Sequence, residues 1–345
     1  MRGAVFMTSA GAHATTAIDR TIAATRAAFG PGRIEIRFAA IWFALAALLI
    51  FSAIWAPGSL RPDTLLAVIP FAAFLTITAM GQSILLMSRG IDLSVPAIIT
   101  LSSTVLLGFS GGSDGALFVG LVAALICATT VGLINGILVG VIKLNALIVT
   151  LAVGAIASGA TQWFRQELPP ESRVPPLLAD FGDVRLLGVN AAVWVAAILV
   201  AALTIVLRKT TVGRRFSAAG ANPRAAWVAG INLPAHQIAA YGVAGFLYGV
   251  AGILLSAFIR NPTLSVGNDY LLAPIAAAVL GGTAITGGIS SMVAVAGAAL
   301  FLTQLGQMLK VLGLSSAIQL VVQGIAIALG MALAEGRWMR LGRRE

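Results

Sequence analysis

The chain has 345 residues, of which 59% are hydrophobic and 10% charged. An average soluble domain carries about a quarter charged residues, so this composition excludes an ordinary water-soluble protein and a disordered one. A net charge of +10 does not point to nucleic acid here: Lys and Arg cluster at the ends of apolar runs, with no interleaved aromatic rings to stack on bases. At roughly 20 residues per span, the sequence predicts an all-α, polytopic membrane protein of about ten transmembrane helices.

Residues 1–37 are Ala/Thr-rich and carry Arg2, Arg20, Arg26, Arg33 and Arg37. They read as a cytosolic tail without the apolar core and cleavage site of a signal peptide. Apolar runs follow at 38–55, 64–88, 93–111, 115–142, 144–164, 190–207, 236–259, 271–286, 292–310 and 315–334, giving a transmembrane domain over 38–335 and a basic cytosolic tail over 336–345. The run at 271–286 is short and ends near Gly281-Gly282, which predicts a broken or re-entrant helix.

Basic residues fix the expected orientation. With the N-terminus inside and every run crossing, the inner segments hold Arg89, Lys143, Arg208, Lys209, Arg214, Arg215, Arg224 and the Arg residues of both tails. The outer segments hold Arg61, Arg165, Arg173, Arg185, Arg260 and Lys310. Both termini are therefore expected in the cytosol. The two longest polar connections are an external, Pro-rich loop at 165–189 and a basic cytosolic loop at 208–235. In the external loop Arg and acidic residues nearly balance, which reads as a self-paired solvated surface.

A faint internal repeat is visible. Leu144–Gly154 echoes Leu314–Gly324, and Gly90-Ile91-Asp92 echoes Gly288-Ile289-Ser290. The two pairings imply different numbers of intervening spans. Cys127, inside an apolar run, reads as a small buried residue, and His13 and His236 sit near segment edges. No metal site and no cofactor is expected.

Within the cytosolic loop, Asn222 suits an N-cap, Pro223 the first helical position and Gly230 the residue just past the end. So short a helix is marginal in water, and capping at both ends implies that it is held against something. One reading is a connector packed on its own membrane domain, the other a docking helix that passes motion to the spans. Asp92 is the one acid inside the apolar block. It either opens the helix after Ser94 as a cap or lines a transport path. Asn135, Asn145, Thr150 and Gln162 are uncharged polar groups in apolar runs, suited to bridging helices or to hydrogen-bonding a solute. The pattern Gly-x-x-x-x-Gly-Lys-Ser/Thr, which would cradle a nucleotide phosphate, does not occur in the sequence.

Residues 211–231 resemble the cytosolic coupling loop of membrane permeases in bacterial ABC importers of the ribose/monosaccharide type. Gly213, Arg214, Ala219, Gly220, Asn222, Ala225, Ala226, Gly230 and Ile231 carry the match, with Arg215 beside them. Gly90-Ile91-Asp92-Leu93-Ser94-Val95, Gly132, Asn135, Gly136, Ile148–Leu151, Gly267, Tyr270, Ile275–Ala277, Val279–Thr283 and Gly287-Gly288 extend it from about residue 60 to 335. The chain departs from the family pattern at Pro96, where a Gly is usual, at Trp227, where a basic residue is usual, at Leu271–Pro274, and at Ser290–Met292.

The resemblance implies a non-enzymatic translocation subunit in a bacterial inner membrane that imports a sugar or sugar-like solute by alternating access. It also implies a cytosolic ATP-binding subunit, a periplasmic or extracellular solute-binding protein and a second permease chain. The competing reading is a secondary transporter driven by an ion gradient. Such proteins keep several acidic or His relays at membrane depth, where this chain offers Asp92 alone.

Overall fold

The computed structural model describes residues 31–169 and 172–334. Residues 1–30 of the tail expected at 1–37, and the whole tail expected at 336–345, lie outside the described residues, while residues 31–37 begin the first helix. The chain divides into a unit ending at Ala40 and a unit from Ile41 onward.

The helices are α1 (Pro31–Trp55), α2 (Pro62–Met87), α3 (Val95–Ser110), α4 (Leu117–Gly140), α5 (Ala146–Gln166), α6 (Pro176–Asp183), α7 (Ala191–Lys209), α8 (Thr211–Ala221), α9 (Pro223–Val228), α10 (Leu233–Ile259), α11 (Ala273–Leu280), α12 (Met292–Val311) and α13 (Ser316–Ala334). Each of the ten apolar runs becomes one helix. Among the described residues, seven are long and apolar enough to cross a membrane, lying in α1, α2, α4, α5, α7, α10 and α12. Helix α3 has 16 residues and α11 has 8. At 1.5 Å per residue, α3 reaches about 24 Å, short of the roughly 30 Å hydrocarbon core. The run at 271–286 is broken as expected, since α11 gives way at Gly281 to an irregular stretch before α12.

Caps and prolines set the helix starts. Asn145, Asn190, Thr210, Asn222, Asn232 and Ser291 each accept a backbone N–H of the turn they open. That satisfies donors that would otherwise be orphaned at a helix end. Helices α2 and α10 form the centre, with Phe71 and Phe74 set edge-on against Phe258. Helix α4 lies along α10 with almost no gap: a Cβ on Gly132 would come within 2.3 Å of the Tyr241 carbonyl, and one on Gly245 within 2.6 Å of the Ala128 carbonyl. Small residues permit this approach where lipid supplies no hydrophobic drive between helices. Cys127 is half-buried against the Leu106/Leu107/Ala124 cluster. Helices α1 and α7 remain at the edge, and Phe43, Ile54 and Ile198 face outward. Such surfaces are stable in hydrocarbon and untenable in water.

The connection at 165–189 carries regular structure of its own. It holds α6 and part of a two-residue antiparallel hairpin, Arg185–Leu186 with Val189–Asn190. Helix α6 lies so close to the end of α10 that a Cβ on Gly182 would meet the Ala257 carbonyl at 2.3 Å. Asp114 accepts the N–H of Leu177 at 2.8 Å, and Asp183 pairs with Arg260. That pair is more than half exposed and contributes little to stability.

The two members of one echoing pair lie close together in the fold. The segment 90–94 leads into α3 and the segment 288–291 into α12, and both abut the end of α2, where Gly288 donates to the Met87 carbonyl at 2.9 Å. The other pairing places α4 between α3 and α5, with no counterpart helix between α12 and α13.

Candidate functional site

Residues 88–94 join two helices with irregular backbone, and side chains from three neighbours hold them. Tyr241 on α10 donates to the Ile91 carbonyl at 2.9 Å, and Gln82 on α2 donates to the Asp92 carbonyl at 3.3 Å. The Leu93 N–H donates to the Thr150 hydroxyl of α5 at 3.0 Å. Tyr248, a further two turns along α10, donates to Gln82 at 2.8 Å and orients its amide. Irregular backbone is tolerated at membrane depth only where protein satisfies it, and here neighbouring helices supply the partners.

Asp92 lies at the centre of this arrangement and is fully buried. Its Oδ1 accepts the Ser94 N–H at 2.7 Å and the Ser94 hydroxyl at 2.5 Å, while the Asn135 amide donates to that hydroxyl at 2.9 Å. The carboxylate therefore folds an Asx turn leading into α3. Ser94 occupies the N-cap position, and its own side chain makes no capping bond. Among the described residues, Asp92 Oδ2 and Asn135 Oδ1 have no hydrogen-bond partner. The carboxylate and the amide thus each keep one acceptor oxygen unused by these neighbours.

Of the polar residues singled out from sequence, the structure thus brings together Asp92, Ser94, Asn135 and Thr150. Asn145 stands apart, exposed at the start of α5, where it caps Leu147 and Ile148. Gln162 lies toward the other end of α5, in the wall of a cavity of about 220 Å³ beside the first turn of α3. A second hydroxyl cluster joins Ser83 to Thr283 at 2.7 Å and to Ser290 at 2.5 Å.

Helices α8 and α9 form the basic loop. Asn222 accepts the Ala225 N–H at 3.1 Å, and at the far end Gly230 donates to Trp227 while Ile231 donates to Ala226. This is a Schellman closure, with Gly230 at φ 78°, a conformation glycine adopts without strain. Ala226 is buried, whereas Trp227 and Val228 are 71% and 79% exposed. Arg214 and Arg215 lie on the exposed side of α8, and Phe216 turns inward to pack on His236.

Arg89 ties this loop to the buried cluster. Its Nε donates to the Gly220 carbonyl at 2.7 Å and its Nη2 to the Ala221 carbonyl at 2.9 Å. A cation on the last carbonyls of a helix is favoured by the helix dipole, so Arg89 clamps the end of α8. Gly220 itself has no space for a side chain: a Cβ would lie 1.8 Å from the Met87 carbonyl and 2.6 Å from Gly288 N.

Sequence reading assigned Arg89 to topology alone and passed over Gln82, Tyr241 and Tyr248. The spacing of Tyr241 and Tyr248, two turns apart on one helix face, and a lone amide at Gln82 in an apolar run were the available signals.

A family model described as "Branched-chain amino acid transport system / permease component" matches residues 64–331. The ribose import permease protein of Escherichia coli (strain K12) is 32% identical over 293 residues, covering 83% of this chain and 91% of that protein. The ribose import permease protein of Bacillus subtilis (strain 168) is 32% identical over 288 residues, covering 83% of this chain and 89% of that one. The autoinducer 2 import system permease protein of Escherichia coli (strain K12 / DH10B) is 34% identical over 262 residues, covering 73% of each chain. No solved structure matches.

Proposed function

The chain belongs to the family of branched-chain amino acid transport system permease components, and we propose that it is the membrane subunit of an ATP-driven importer for a neutral sugar or sugar-like solute. In this reading both termini and the α8–α9 loop face the cytosol, the α6 region faces outward, and the chain performs no covalent chemistry. A separate ATPase docks on α9, a solute-binding protein delivers cargo from outside, and a second permease chain completes the path.

The observation that carries the coupling is α9 itself. Six residues capped at both ends hold Trp227 and Val228 in the open, and an exposed aromatic anchor on a rigid support is a common centre of protein recognition. Arg214 and Arg215 flank this surface and offer charge to acidic partner groups. Motion imposed on α9 passes along α8 to Arg89, and from there to the segment that carries Asp92. The sugar-like cargo rests on the relatives named as ribose and autoinducer 2 import permeases and on the uncharged amides and hydroxyls among the candidate path residues Ser94, Asn135, Thr150 and Gln162.

The test is uptake in membranes with and without the co-purifying ATPase. Removing the ATPase should abolish uptake, and persistence on an ion gradient would establish the secondary-transporter reading instead. Gly230→Pro, which cannot adopt a positive φ, and charge reversal at Arg214 and Arg215 should each lower uptake at least about tenfold at unchanged membrane level. Wild-type uptake in both variants would remove α8–α9 from the coupling path.

A further inference from the structure

We propose that the cavity between α3, α5 and the 264–268 turn is a binding subsite for an uncharged polyhydroxylated solute of monosaccharide size, an inference that rests on the permease reading above. Its polar wall consists of Thr100, Ser158, Thr161, Gln162 and Asn268, with carbon surface from Leu264 and the first turn of α3. The wall contains no Asp, Glu, Lys, Arg or His. A zwitterionic amino acid would need partners for both an ammonium and a carboxylate, and a sugar phosphate would need cations. The cavity offers neither.

What it offers matches a sugar. The Thr100 and Thr161 hydroxyl protons are committed to the Pro96 and Ala157 carbonyls, at 2.8 and 2.7 Å. A hydroxyl has one proton and two lone pairs, so each presents acceptor capacity to a solute O–H. The carboxamides of Gln162 and Asn268 add donors as well as acceptors. Leu264 and the α3 turn give the C–H face of a pyranose or furanose a place to lie. At about 220 Å³ the space is below the roughly 300–1,000 Å³ of drug-sized pockets, which sets an upper limit on cargo size. Pro96 and Ala97 lie two and three residues after Ser94 in the chain, so a solute here would sit about one helical turn from the Asp92 cluster. Thr100 also accepts the Gly267 N–H at 3.3 Å, which fixes the turn that closes one side.

The experiment uses the complete importer purified from its native membrane and reconstituted in vesicles. Cys127 is the only cysteine in the sequence, so Ser158→Cys in a Cys127→Ser background gives one reporter in the wall. A water-soluble methanethiosulfonate reagent should label it, and a millimolar uncharged aldopentose or aldohexose should slow labelling at least about fivefold while leucine has no effect. In parallel, Gln162→Leu and Thr100→Val should cut sugar uptake about tenfold at equal membrane level, the loss expected for one buried hydrogen bond, with Gln162→Asn retaining more than Gln162→Leu. Labelling insensitive to every sugar in an importer that transports sugar would overturn the subsite. Protection by leucine instead would overturn the solute class. Absence of ATP-dependent sugar uptake in the wild type would defeat the permease reading, and labelling protection would still decide whether the cavity holds a sugar.

Discussion

Two irregular segments interrupt the helical array, and both abut the end of α2, yet they are held in opposite ways. Residues 281–291 are closed largely by their own backbone: Thr283 donates to Ala278, Ala284 to Ile289 and Gly287 to Ala284, with Gly282, Gly287 and Gly288 at positive φ. Residues 90–94 depend on Gln82, Thr150 and Tyr241, which come from α2, α5 and α10. The first kind of closure is local and survives small shifts of neighbouring helices. The second breaks hydrogen bonds as soon as α10 moves against α2. Of the two, the segment carrying Asp92 is therefore the one that a shift of α10 against α2 would disturb.

Breaking the comparison at the point where both segments meet should have the largest effect. Gly220→Val drives a side chain into the Met87 carbonyl and Gly288 N together, so uptake should fall to background in vesicle assays, with displacement of α8 read by its accessibility to protease. Unaltered uptake would mean that α8 does not bear on either segment. Of the two segments, Tyr241→Phe affects residues 90–94 alone. It leaves the partly buried Ile91 carbonyl without its tyrosine donor, at a cost of about 1 kcal/mol, seen as a lower thermal midpoint in detergent and a several-fold loss of uptake. Ser83→Ala sharpens the contrast from the other side. Thr283 and Ser290 still bond each other at 3.0 Å, so the expected cost is below about 1 kcal/mol and uptake should remain near wild type. If Ser83→Ala matched Tyr241→Phe in effect, the distinction between local and borrowed closure would fail.

The ten helical runs were legible because a bilayer demands long apolar stretches whatever the tertiary fold. The capping of α9 was legible too, since Asn222, Pro223 and Gly230 act within one short stretch. Long-range partnerships were not. Asn135 and Asn145 look alike in the sequence, yet one is buried against Ser94 and the other caps α5 in the open. The packing of α4 against the start of α3 decides this. Arg89 read as a topological charge because its acceptors, the Gly220 and Ala221 carbonyls, lie more than 130 residues away in the sequence. The shortness of α3 was hidden in an apolar run that continues through residues whose backbone is not helical.

That shortness follows from one covalent fact. In a helix continued backward through Asp92, the Asp92 carbonyl would receive the N–H of the residue four positions on, and that residue is Pro96, the second of α3. Proline has no N–H to give, and its ring collides with that carbonyl, a cost of about 3 kcal/mol. The acceptor left over by the imide is the one Gln82 occupies. Pro96 thus turns a missing rung ahead of α3 into an attachment point for α2, and any rearrangement that wound that turn closed would have to meet the proline's cost of about 3 kcal/mol.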